Sequence, residues 1–310
     1  MRKALILLIA LGLFGASAVQ GQFWDPPTLE NRNASTFEYY MLEVPDGVTM
    51  TADTQIDDWS WFDPEYILTM EEWRDEGDRE LPSRDDLDIT TYMAWKGAPE
   101  NRWYVYMAAH DDTLSHEGTN VSRWDGDMLG FAIDPQDHGR DRADGGYSME
   151  FVAAPGDVTT NYRYRYPESE GGPGQAAWAE YGQEPWLYSA VRVEPPEAWA
   201  ADSWTSDTGG DTYYEWNLVV VNYLEDGGPS ASQVLDLNGQ AGEDGFGFIF
   251  VFWYEDGDPG FNNDMTVRGP EGSARQYFAH AVMLREGEYT MGSLPTAVEE
   301  TTWGRIKSSF

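Results

Sequence analysis

Carboxylates are the chemistry this chain has in quantity, and two stretches crowd them together. Glu255-Asp256-Gly257-Asp258-Pro259-Gly260-Phe261-Asn262-Asn263-Asp264 sets Asp256, Asp258 and Asp264 among amides and carbonyls, and residues 134–144 carry Asp134, Asp137, Asp141 and Asp144. Calcium takes about six to eight oxygens from such groups on a flexible loop. A structural calcium ion is therefore the cofactor these runs point to, with Asp134, Asp137, Asp256, Asp258 and Asp264 as ligands. Neither run has EF-hand spacing, and a solvated acidic loop is the other reading of each. The histidines, His110, His116, His138 and His280, lack the H-E-x-x-H spacing of a zinc site. His110 and His116 flank the acidic pair Asp111-Asp112, as metal ligands or as solvated groups. There is no G-x-S-x-G elbow, P-loop or dinucleotide fingerprint, and no cysteine for thiol chemistry. The expectation is a non-catalytic protein.

Those residues sit in a chain of 310 with 55 acidic and 19 basic side chains, a formal net charge of -36. Such a field repels nucleic-acid phosphate and anionic lipid, so neither is expected as a partner. Only Lys3, Lys96 and Lys307 are lysines. An acidic, lysine-poor surface suits high salt, where screening removes self-repulsion; a secreted protein with an acidic skin is the alternative. With 41% hydrophobic and 15% aromatic residues the chain has material for a sizeable core.

Residues 1–18 read as a signal peptide: Arg2 and Lys3, an apolar run from Ala4 to Phe14, then Gly15, Ala16, Ser17 and Ala18. The expectation is a cleaved leader and a secreted, extracellular or periplasmic protein. No later run approaches the ~20 apolar residues of a membrane helix. Residues 19–45 read as an extended lead-in. Beyond them strand signals dominate. Asp88 to Trp95 and Arg102 to His110 flank a Gly/Pro/Asn turn as a hairpin, with Trp103, Val105, Met107 and Ala109 on one face and Tyr104, Tyr106 and Ala108 on the other. Further strands are expected over Asp127 to Ile133, Gly146 to Ala153, Tyr213 to Asn222, Phe246 to Tyr254 and Ala279 to Leu284. Helical periodicity is confined to Pro64 to Glu76 and the tail. Many strands without βαβ alternation predict an all-β, antiparallel two-sheet β-sandwich of jelly-roll or Ig-like type over 46–292. Loops are expected at 134–146, 155–186, 197–211 and 255–275. The tail, 293–310, reads as a short helix carrying Trp303, Ile306 and Phe310 on one side.

The strand Tyr104 to Asp112, a loop, and Trp124-Asp125-Gly126-Asp127-Met128-Leu129-Gly130-Phe131-Ala132-Ile133-Asp134-Pro135 together resemble the family 9 carbohydrate-binding modules, among the DOMON-like sandwiches. Ile56-Asp57-Asp58-Trp59, Tyr147 to Phe151, Tyr213 to Leu218 and Gly245 to Phe248 are similar to further blocks of that family, in order across residues 50–290. The resemblance implies a β-sandwich that binds a polysaccharide or oligosaccharide without transforming it, works beside partner glycoside hydrolases in carbohydrate breakdown, and holds calcium. An indole laid on a sugar's apolar face removes both from water. Trp124, beside Arg123, falls on the family's first stacking tryptophan; strand-end core packing is its other reading. The family's glutamate in the following strand corresponds to Gly130, and its second stacking tryptophan has no counterpart between Tyr254 and Leu284. Trp178, Trp186, Trp199 and Trp204, in Gly/Pro-rich stretches, are the candidates for a replacement plate.

Two other classes stay open on sequence. One is a haem-carrying electron-transfer sandwich, with Met93, Met107, Met128 or Met149 and His110 or His280 as axial ligands. The other is a structural surface or matrix protein assembled through the acidic sandwich and basic tail.

Overall fold

The structure, a computed structural model, describes residues 38–75, 80–114, 127–134, 148–154, 157–165, 185–194, 209–223, 230, 232–243, 246–258, 261–267 and 279–289. The expected leader and tail lie outside these. Among the described residues the strands are β1 (Glu38–Glu43), β2 (Trp73–Asp75), β3 (Leu87–Lys96), β4 (Arg102–Asp111), β5 (Met128–Asp134), β6 (Ser148–Ala154) and β7 (Asp157–Arg165). They continue with β8 (Leu187–Glu194), β9 (Gly210–Val219), β10 (Val221–Tyr223), β11 (Gln233–Val234), β12 (Phe246–Asp258), β13 (Phe261–Val267) and β14 (Ala279–Leu284). One helical segment, α1, spans Leu237–Glu243.

The architecture is the expected all-β sandwich. One main ladder runs β7-β6-β5-β12-β14-β1-β3-β4-β9-β8, with β13 on β12 and β2 on β13. It doubles back on itself, so that β5 and β12 face β4 and β9 across a common core. Rings interlock over the gap: Trp103 of β4 stacks on Phe252 of β12 at 5.9 Å, and Phe131 of β5 meets Trp216 of β9 edge-on at 5.1 Å. Two pairings depart from the antiparallel rule. β1 runs parallel to both β14 and β3, and this strip closes one edge of the sandwich.

The inner and outer faces of β4 follow its alternation. Trp103, Val105, Met107 and Ala109 enter the core between the layers, while Tyr104, Tyr106 and Ala108 join a second apolar cluster on the outer face. Residues 44–68 lie over that outer face and bury Trp59 and Phe62 against Tyr92 and Tyr106, Trp61 against Tyr289 and Tyr66 against Tyr40. The domain is thus three layers deep on this side. Where periodicity suggested a helix over Pro64 to Glu76, the chain makes two 3-10 turns, Pro64–Tyr66 and Met70–Glu72, then β2. Asp63 and Thr69 each cap a fresh turn, and a 3-10 turn repeats every three residues, close enough to helical spacing to mimic it. Glu38–Glu43, read as the end of a lead-in, is β1 in mid-ladder.

Met93 and Met107 fill the inner core. His110 sits on the outer face of β4, where its Nδ1 lies 2.8 Å from Asp211 Oδ1. A sheet therefore separates these thioethers from that imidazole; the side chains of Met128, Met149 and His280 lie outside the described residues.

Candidate functional site

At one end of the core three acidic side chains converge. Asp111 ends β4, Asp127 immediately precedes β5, and Asp256 lies near the end of β12. One carboxylate oxygen from each lies within 4.8 Å of the others. All three are buried, at 2%, 1% and 1% exposure. The positioning follows from strand period. Each continues the inward face of its strand: Trp103, Val105, Met107, Ala109 and then Asp111; Asp127 and then Leu129, Phe131, Ile133; Phe250, Phe252, Tyr254 and then Asp256. Pairing of Glu255 with Met128 brings Asp127 and Asp256 alongside one another, and Asp111 reaches across from the other layer.

Two protic groups are placed on Asp111. Tyr254 donates its hydroxyl to Asp111 Oδ2 at 3.4 Å, and the Thr113 amide donates to Asp111 Oδ1 at 3.0 Å. Burial, with the negative charge of Asp127 and Asp111 beside it, holds the Tyr214 hydroxyl well above the ordinary tyrosine range. Tyr254 is pushed the same way, by burial first and then by Tyr214, Asp111 and Asp127. Three carboxylates brought this close in a dry interior repel one another and lose their hydration, a cost that hydrogen bonds, shared protons or a cation must offset. An all-oxygen set of three carboxylates fits a hard divalent ion such as calcium.

This arrangement revises the calcium loop expected over residues 255–264. Asp256, Asp258 and Asp264 belong to the paired strands β12 and β13, in the register Glu255 to Asp264, Asp256 to Asn263 and Asp258 to Phe261. They stand on a paired hairpin where a loop was expected. Asp256 alone of them is placed with the inward carboxylates. The side chains of Asp258 and Asp264 lie outside the described residues, as do Asp137 and the side chain of Asp134 at the end of β5. Asp111 and Asp127, absent from the ligand set read from sequence, carried a usable signal: each is an acidic residue on the apolar parity of its strand.

Trp124, Arg123, Trp178, Trp199 and Trp204 also lie outside the described residues. Residues 115–126, which hold Arg123 and Trp124, connect β4 to β5, and the two carboxylates Asp111 and Asp127 stand at the roots of that connection. Trp186 is half-buried just before β8, where its carbonyl accepts from the Val219 amide at 2.8 Å. Val219 pairs with Arg102, at the far end of β4 from Asp111. Along a strand this separation amounts to roughly 30 Å, so Trp186 does not join the carboxylate end. Gly130, at the position of the family's glutamate, pairs with Trp253, and a Cβ there would overlap the indole. Trp253 thus fills the room a longer side chain would need.

No family model matches the chain, and no curated protein matches it in sequence. Among solved structures it is similar to a family 9 carbohydrate-binding module from Caldicellulosiruptor kristjanssonii in complex with glucose, at 13% identity and a TM-score of 0.43, covering 80% of this chain and 96% of that one. A structure of such a module from the same organism with cellotriose follows at 12% identity and a TM-score of 0.42, covering 86% and 99%. A Bacteroides uniformis protein described as carbohydrate-binding gives 9% identity and a TM-score of 0.44, covering 80% and 99%. No helix among the described residues is long and apolar enough to cross a membrane.

Proposed function

We propose that this protein is a non-catalytic carbohydrate-binding sandwich whose saccharide contact lies on the connection between β4 and β5, with Trp124 as the stacking plate and Arg123 beside it. The observation that carries the reading is the buried carboxylate trio. It sets both roots of that connection, Asp111 and Asp127, beside Asp256 of β12, where a shared ion would give an otherwise long loop a stiff base. Pre-ordering a loop lowers the entropy lost when a ligand binds. A calcium ion between the three carboxylates completes the base by neutralising their charge. Export by the leader, and service to partner glycoside hydrolases, belong to the same reading and rest on the sequence blocks.

Affinity electrophoresis through a panel of soluble glucans and xylans tests it. Trp124→Ala is expected to weaken retention by about 1–3 kcal/mol, the scale of one well-buried aromatic contact. Equal retention of the variant and the parent on every glycan that retards the parent rejects Trp124 as the plate. Calcium has a separate readout. At a free concentration a hundred times its Kd it is expected to stabilise the fold by about 2.7 kcal/mol, seen as a rise in thermal midpoint that a chelator reverses and Asp111→Asn abolishes. A midpoint indifferent to chelator in the parent removes the ion from the account.

A further inference from the structure

We infer that Glu215 is a proton-controlled latch, which fastens residues 44–68 to the outer face of the sandwich and loosens them as its carboxyl loses its proton. Glu215 projects outward from β9, in register with Tyr106 of β4 and Ala190 of β8, and is 2% exposed. Both of its oxygens are engaged by the covering segment. Oε1 accepts from Trp59 Nε1 at 2.9 Å, and Oε2 accepts from the Thr54 amide at 2.7 Å and the Asp53 amide at 2.9 Å. One side chain thus bridges chain segments about 160 residues apart at three points.

The groups facing it make the latch sensitive to protons. Asp58 of the covering segment lies beside it, with Asp53 and Asp57 around Asp58; Tyr106 of β4 neighbours it too, ringed by Tyr92 of β3 and Tyr213 of β9. The cation at hand is Arg192 of β8, but it directs its donors elsewhere: Nε to Thr54 Oγ1 at 3.1 Å, Nη2 to the Thr54 carbonyl at 3.0 Å, and Nη1 to Glu194. Its guanidinium lies over the Tyr213 ring at 4.0 Å. It clasps the segment without neutralising Glu215. Burial therefore prevails over the three donated hydrogen bonds and, with Asp58 adding to it, raises the Glu215 carboxyl to about 8. Asp58 is raised to about 6, by burial first and then by Asp53 and Asp57, even though its Oδ2 accepts from the Thr51 amide at 2.7 Å.

The sign follows by linkage. With the segment down, both carboxyls hold protons more tightly than in water. With it lifted, they return to the ordinary carboxylate range. The closed state binds more protons, so removing protons favours opening. Closure is complete in acid, weakens as pH rises from about 3.8, the ordinary aspartate value, through about 4.5, the ordinary glutamate value, towards 8, and changes no further above that.

Hydrogen exchange of the full-length protein between pH 5 and 9, corrected for intrinsic chemistry, decides it. Protection of the Asp53 and Thr54 amides and of the Trp59 indole N–H is expected to fall by up to about tenfold per pH unit, while the β3–β4 amides hold steady. In Glu215→Gln the decline is confined to pH below about 6, where Asp58 still titrates. Protection in the wild type that does not change with pH overturns the latch, as does a Gln variant with the full wild-type slope. Should the variant fail to fold, the wild-type profile decides alone.

Discussion

At Gly130 the backbone of β5 passes directly under the indole of Trp253, leaving no volume for a side chain. Trp253 is fully buried, so the ring has nowhere to retreat. Gly130→Ala is expected to lower stability by about 1–3 kcal/mol, the cost of overpacking a close-packed site, measured as a shift in the urea midpoint at unchanged slope. A midpoint equal to the wild type would show that the ring can yield. Charge is the other residue-scale theme. Four of the buried carboxyls stand in two settings that differ in partners: Asp111, Asp127 and Asp256 lie beside one another, whereas Glu215 meets N–H donors. The first setting suits a cation; in the second, burial outweighs the donated hydrogen bonds and favours a proton.

Elements show which features sequence could carry. The β3–β4 hairpin was readable because both strands alternate between two differently furnished faces, and the structure pairs them over their whole length from Leu87 and Asp111 to Lys96 and Arg102. β1 was not. Its Tyr39, Tyr40, Met41 and Leu42 are buried on both faces, so no alternation marks it, and its parallel partners lie far along the chain. β13, Phe-Asn-Asn-Asp-Met-Thr-Val, was masked by amide and acidic residues that read equally well as ion ligands. The carboxylate trio was half legible. Strand parity marks each member as an acid on an apolar face, but only the folding of one layer onto the other brings Asp111 to Asp127 and Asp256. The segment over the outer face yields its own prediction. Trp59→Phe keeps an aromatic ring against Tyr92 and removes the N–H donated to Glu215. A loss of about 0.5–1.5 kcal/mol is expected at pH 5, the net worth of one hydrogen bond to an uncharged carboxyl, where the segment is closed and Glu215 keeps its proton. A urea midpoint at pH 5 equal to that of the wild type would contradict that assignment.

For the whole molecule, the formal charge of -36 sets the response to salt. Repulsion among surface carboxylates opposes the compact state, and raising ionic strength from 0.1 to 1 M shortens the screening length from about 10 to about 3 Å. Urea midpoints are expected to climb with potassium chloride over this range. A flat or falling series would mean that the acidic residues are balanced locally.

The parallel strip at the closed edge also governs the order in which the molecule is completed. β1 leaves the ribosome early, yet one of its two neighbours is β14, more than two hundred residues downstream. Until Leu284 has emerged, the nascent polypeptide carries an aromatic strand with one flank bare, and such a flank invites pairing with other chains. Closing so long a loop makes the final zippering slow. Synthesis halted before β14 is therefore expected to leave aggregation-prone material, whereas adding β14 as a separate peptide during refolding should rescue it.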